Sequence, residues 1–197
     1  ADLFPRLVSE ALSSKLGQTI VIENKPGAAG NIAAEMLFNA EPDGYTLMAA
    51  PPPPLSINVS LYPKLNYDPA KFVPITVFSL VPNALMVHPS VPANSVQELI
   101  AYAKANPDKL NFGSSGTGTP NHMGGVFLMK MTGIDMLHVP YKGGGPMLTD
   151  LIAGQMHVSF ISLTSVLPHV PTGRLKILGT GYTRRLRSAP DVPTIAE

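Results

Sequence analysis

Three stretches share one design: an apolar run, a glycine-rich loop, then residues suited to start a helix. The clearest is LNFGSSGTGTPNH, Leu110 to His122, in which glycines alternate with Ser114, Ser115, Thr117 and Thr119. MLHVPYKGGGP, Met136 to Pro146, and IVIENKPGAAGN, Ile20 to Asn31, repeat the plan. A helix N-terminus offers backbone N–H groups without intrahelical partners and the positive end of the helix dipole. Glycine lets the backbone approach a ligand closely. Several such ends meeting at one crevice make a site for an anion. This pattern suits capture of a small acid, with Ser114, Ser115, Gly116, Thr117 and Thr119 around its carboxylate; the plainer alternative is an ordinary capped loop. Thr119 is placed as an N-cap and Pro120 as the first helical residue.

Around this core stand further candidates. His122 falls in the first turn of the helix, where it either touches the ligand or packs against its own lobe. Lys142 and Gly143 follow a strand end; the lysine either offers its charge to an anion or is solvated. Tyr141 packs over the ligand or against the lobe. The nine methionines, Met123, Met129 and Met131 among them, read as core filler.

Other chemistries find no support. Position 117 is threonine, so residues 113–117 are not a G-x-S-x-G nucleophile elbow. Gly116-Thr117-Gly118 lacks the third glycine of a dinucleotide fingerprint, and there is no P-loop. No paired carboxylates stand out for acid–base work. His88, His138, His157 and His169 are scattered without metal-ligand spacing, so no metal and no cofactor are expected. A net charge of +1 and 7% aromatic content give no nucleic-acid footprint, and Arg184-Arg185-Leu186-Arg187 reads as a solvated turn. The absence of cysteine removes disulfides and thiol chemistry, and fits an exported protein. No apolar run reaches the ~18 residues of a membrane span.

These loops need strands and helices to hold them. Leu3, Leu7, Val8, Ala11, Leu12 and Leu16 recur at helical spacing, with Gly17 as the stop. Strands are expected at 19–23 and 45–50, with a helix at 31–40 between them and a turn at Glu41-Pro42-Asp43-Gly44. Pro51 to Pro54 stop the second strand, and the chain is expected to be irregular as far as Pro69. Extended runs follow at 72–80 and 84–88. Ser95 and Glu98 form a capping-box pair for a helix ending at Ala105. Strand–loop–helix units at 110–131 and 136–153 lead to a strand at 155–160, a short helix at 162–170 weakened by Pro168, and a last strand at 174–180. The 197 residues thus read as an α/β chain with parallel strands and helical crossovers.

The chain resembles the periplasmic substrate-binding proteins of tripartite tricarboxylate transporters, the Bordetella-uptake-gene group. The matching stretches, in the family's order, are ENKPGAAGNI at 23–32, PDGYTL at 42–47, LYPKLNYDP at 61–69, HPSVP at 88–92, HVPYKG at 138–143 and PDVPT at 190–194. The resemblance implies a two-lobe Venus-flytrap fold of the type II periplasmic-binding-protein class. Lobe 1 would comprise 1–82 and 182–197, lobe 2 residues 83–181, with hinges near 82–88 and 177–184. It implies a monomeric, non-enzymatic receptor, made with a signal peptide, that holds a small carboxylate between its lobes in the periplasm. The receptor would deliver that carboxylate to membrane permease subunits. Asp2 matches the acidic residue closing the family's first glycine-rich loop, and the sequence is expected to be incomplete at both ends. Pro52, in the run where many relatives carry glycine, threonine or asparagine, and Ser162, near where many carry an acid, complete the candidate site. Without that acid a ligand ammonium group lacks a partner, which argues against amino acids. The alternative from another class is the effector domain of a bacterial transcription regulator, which a helix-turn-helix upstream would identify.

Overall fold

The computed structural model describes residues 3–77 and 79–197. It divides into two compact units, Ala1–Leu80 and Val81–Glu197. Asp2 lies outside the described residues.

The first unit is built from helices and extended chain. Helix α1 (Leu3–Leu16) ends as expected at Gly17, whose φ of 67° lets its N–H reach the Ser13 carbonyl at 3.0 Å. Helix α2 (Asn31–Phe38) follows a tight turn at Ala28–Gly30 and stops two residues earlier than expected. The strands expected at 19–23 and 45–50 do not form, nor does the 72–77 run join a ladder. Val21, Tyr45, Leu47, Val73, Ile75 and Val77 are instead 62–88% exposed. Strand propensity becomes a strand only when a partner supplies hydrogen bonds and a face to pack on. The proline run is also more regular than expected. Pro53–Ile57 form one wide helical turn that leads directly into α3 (Asn58–Leu61). Proline suits a helix start because the first N–H groups have no intrahelical partner there. A polar knot fastens this unit. Tyr67 Oη lies 2.7 Å from Asn31 Oδ1 and 3.0 Å from the Pro54 carbonyl, while Asn58 Nδ2 donates to Asn31 Oδ1 at 2.5 Å. Asn58 Oδ1 is buried without a partner.

The second unit is a five-stranded mixed sheet with helices on both faces. In order across the sheet its strands are β3 (Leu137–Pro140), β2 (Asn111–Ser114), β4 (Val158–Ser162), β1 (Asn83–Val87) and β5 (Lys176–Thr180). β2 runs parallel to both β3 and β4, and β1 is antiparallel to both β4 and β5. Strand alternation divides the core. Leu85, Val87, Phe112, Val158 and Phe160 face one side with Leu99 of α4 (Val96–Ala105) and Leu128 of α5 (Pro120–Thr132). Ala84, Met86 and Ile161 face the other with Met147 and Leu151 of α6 (Gly144–Ile152) and Val166 of α7 (Leu163–Val166). β4 begins three residues later than expected, and the short helix ends at Val166 in a tighter turn containing Pro168. The capping box forms with one variation: Ser95 Oγ accepts from Glu98 N–H at 3.1 Å, while Glu98 Oε2 accepts from the Asn94 N–H at 2.7 Å. Met131 departs from core filler, at 83% exposed on the outer face of α5.

Residues 182–197, expected with the first lobe, cluster here with the second unit. Ile195 N–H donates to the Thr180 carbonyl at 3.0 Å, and Thr180 N–H donates to Pro193 at 2.8 Å. Arg185 clasps Glu197 at 2.6 Å and holds its carboxyl at a pKa of about 2. The segments expected as hinges form β1 and β5, which are neighbours in the sheet.

Candidate functional site

β2, β3 and β4 point the same way, so Ser114, Pro140 and Ser162 end at one edge of the sheet. From β2 the chain passes through α5 to β3 on one side. From β3 it passes through α6 to β4 on β2's other side. The edge between β2 and β4 is therefore a topological switch point, the place where open α/β sheets leave a crevice for ligands. The loops expected to bind, 114–119 and 141–143, lie at this edge.

Glycines let α5 approach the sheet. A methyl added at Gly125 would fall 2.3 Å from the Phe112 ring, and one at Gly124 2.7 Å from Phe160. Asn121, in the first turn, donates its side-chain N–H to the Phe160 carbonyl of β4 and receives the Ser115 hydroxyl at 2.6 Å. The loop itself turns through Gly116 (φ 127°) and Gly118 (φ 83°), conformations that side chains other than glycine rarely adopt.

The hydroxyls do a different job from the one the sequence suggests. Thr119 is the N-cap residue, yet its Oγ1 donates 2.6 Å to the Gly116 carbonyl and makes no capping bond. Ser114 is fully buried; its Oγ accepts from Gly116 N–H at 3.2 Å and lies 2.7 Å from His138 Nε2. Ser115, Thr119 and Ser114 thus brace the loop. What remains at the surface is backbone: Thr117 is exposed at the tip, and the first turn of α5 has no side-chain cap. The first turn of α6 is likewise uncapped behind Gly143. Neither turn contains an acidic residue, so both dipoles stand uncompensated at the same edge.

The remaining candidates sort as follows. Tyr141 packs against its own unit: its ring covers Gly113 and its hydroxyl donates to Asp150 at 2.8 Å. Burial and that carboxylate push the phenol up. Its N–H donates to the Ser114 carbonyl at 2.8 Å, coupling the two loops. Lys142 is exposed with no hydrogen-bond or ion-pair partner among the described residues, and Gly143 opens α6 beside it. Ser162 Oγ bonds Thr164 Oγ1 at 2.8 Å at the end of β4. His122 turns inward, its Nδ1 accepting from Gly118 N–H at 3.2 Å. Pro52 is exposed in the first unit.

Sequence reading missed His138 and Asn121. Laying the two strand–loop–helix units side by side would have found His138, because it pairs with Phe112 across the parallel ladder and so shares a face with Ser114. Among the described residues no cluster suits a metal ion and no helix is long and apolar enough to cross a membrane.

Glycine-loop helix starts gathered at the carboxyl edge of a mixed sheet define an α/β fold of the periplasmic-binding-protein class. Solved structures agree. The chain superposes on R. palustris Rpa4515 with adipate at a TM-score of 0.94 and 37% identity, covering 99% of this chain and 66% of that one. It superposes on MatC from Rhodopseudomonas palustris with bound malate at 0.90 and 31%, covering 99% and 67%. A UPF0065 protein of Bordetella pertussis is 35% identical over 196 residues. That alignment takes in all of this chain and 61% of the relative's length. Residues 4–197 match the model of the tripartite tricarboxylate transporter family receptor, and the chain belongs to that family.

Proposed function

We propose that this chain carries the ligand-capturing loops of a periplasmic solute receptor that takes up a small carboxylate and passes it to membrane permease subunits. The observation that carries this reading is the pair of uncapped helix starts, α5 and α6, at the edge where β2, β3 and β4 end. Helix N-termini with no acid in their first turn suit a carboxylate, and backbone groups offer no nucleophile or base for turnover. The relatives solved with adipate and malate hold ligands of this chemistry.

The ligand class follows from what else the loops offer. Exposed Lys142 can meet one carboxylate. A site polar at one end suits a linear dicarboxylate or an aromatic acid. Citrate would leave charges unpaired, and no acid near 157–162 waits for an amino group. The receptor acts as a monomer, without nucleic acid. Thermal-shift screening of the full-length protein tests this. Linear dicarboxylates or aromatic acids should raise the melting temperature, since a ligand that binds only the folded state stabilises it. Stronger stabilisation by citrate or glutamate, or turnover of the acid, overturns the reading.

A further inference from the structure

Two imidazoles lie beneath the 114–119 loop. His138 of β3 stacks on Phe112 with ring centroids 4.8 Å apart, and His122 of α5 lies 4.5 Å from His138. Each ring is tied to the loop. Gly118 N–H donates to His122 Nδ1, and a backbone amide can only donate, so Nδ1 must hold a lone pair and the ring is neutral with its proton on Nε2. His138 Nε2 meets the buried Ser114 hydroxyl, which also accepts from Gly116 N–H. Both positive-φ glycines of the loop are therefore anchored, directly or through Ser114, to an imidazole.

We infer that His122 and His138 are positioning residues: as a neutral pair they fix the shape in which the 114–119 loop leads into the first turn of α5, where an anion would be held. The inference rests on the carboxylate-receptor reading and adds a dependence on acid. A proton on His122 Nδ1 would face the Gly118 N–H, donor against donor, and the loop must turn away. A second proton would set two like charges on rings 4.5 Å apart. Burial holds both groups below the ordinary imidazole range, and for His138 the neighbouring His122 adds to this. The pair is thus neutral at pH 7 and charges only in acid.

Among the described residues no other charge compensates. β2 and β4 bring no ionisable side chain. α5 brings Lys130 in its last turn, about 12 Å along the helix at 1.5 Å per residue. The 141–143 loop brings Tyr141, already bonded to Asp150 of α6, and exposed Lys142. An imidazolium would attract a carboxylate, but only by giving up the Gly118 N–H bond that holds the loop in shape.

His122→Asn separates the two effects, because an amide oxygen can replace Nδ1 as acceptor and cannot charge. Two measurements on the full-length receptor test the inference. Without ligand, the Gly118 amide resonance should move with pH in the wild type as the histidines titrate, and hold still in His122→Asn. With adipate as probe, calorimetry should show wild-type affinity falling about threefold more than that of His122→Asn between about pH 8 and about pH 5, beyond the ligand's own protonation. His122→Leu and His138→Leu should each lose about tenfold at both pH values, because each removes the partner that holds one loop glycine in place. A Gly118 amide indifferent to pH, or an undiminished acid loss in His122→Asn, overturns the inference. If neither adipate nor any other carboxylate binds at high pH, the receptor reading fails, and the resonance measurement still decides the role of the pair.

Discussion

Phe112 and Ile75 come from stretches that look alike on paper, short apolar runs bounded by glycine or proline. Phe112 is fully buried between β3, β4 and α5. Ile75 is 75% exposed in extended chain. In the second unit each strand finds a neighbour within the chain, so side-chain alternation becomes two buried faces. In the first unit, the buried hydrophobic residues among those described are Ala34 and Tyr67, together with Pro53 and Pro54. The chain spans 61% of the length of its B. pertussis relative, and strand propensity has to be satisfied by whatever the chain itself supplies. The lesson is that local sequence decides which residues are ready to be strands, and pairing partners decide which become strands.

That contrast can be broken most directly by truncation. Phe112→Ala should cost about 3–5 kcal/mol in chemical denaturation of the 197-residue chain, the usual loss for a buried aromatic. Ile75→Ala should stay within about 0.5 kcal/mol, as for exposed positions. Equal losses would mean that residues 72–77 have a packed partner after all. Next in size come the loop hydroxyls. Thr119→Ala and Ser115→Ala should each weaken carboxylate binding about tenfold, by loosening the loop rather than by losing a ligand contact. Unchanged affinity in both, by calorimetry on the full-length protein, would show that the binding loop lies elsewhere.

Most of the second unit is legible in the sequence because its signals are local. The Ser95–Glu98 spacing and the glycine-rich loops before α5 and α6 each act within a few residues. The site is only half legible. The type and spacing of Ser114, Ser115 and Thr119 place them in one loop at the strand ends, but do not give the direction of their hydroxyls. Those directions depend on Asn121, His138 and the Phe160 carbonyl, of which the last two come from other strands. The first unit fails differently: the apolar runs at 19–23 and 45–50 read as strands, but local sequence cannot say whether a ladder awaits them, and none forms there.

A smaller effect sharpens the division between stability and binding inside the second unit. Ser95 caps α4 through Glu98 N–H, so Ser95→Ala should cost about 1 kcal/mol of stability. It touches neither the 114–119 loop nor the start of α6, so ligand affinity should be unchanged. A parallel loss of affinity would mean that the loop is held by the stability of the whole unit and not by its own bonds.

Another small change is expected in the first unit, at Pro52. Its backbone is helical (φ −55°, ψ −31°) at the head of the turn that leads into α3, and its ring is exposed. Pro53 and Pro54 differ: both are buried, and the Pro54 carbonyl lies 3.0 Å from the Tyr67 hydroxyl. Alanine fits the conformation at 52, so Pro52→Ala should lose only about 0.4–1 kcal/mol through added freedom of the unfolded chain. It also introduces a backbone N–H where proline offers none. If the polar contacts to the ligand come from the 114–119 loop and the start of α6, that new donor has little to meet. Affinity should then stay within about threefold, well under the tenfold, about 1.4 kcal/mol, expected of Thr119→Ala. The ranking of linear dicarboxylates over citrate should also hold. If Pro52→Ala instead changes affinity more than Thr119→Ala, or brings citrate to the top of the ranking, the proline run is a determinant of ligand choice and the second unit does not supply most of the polar contacts.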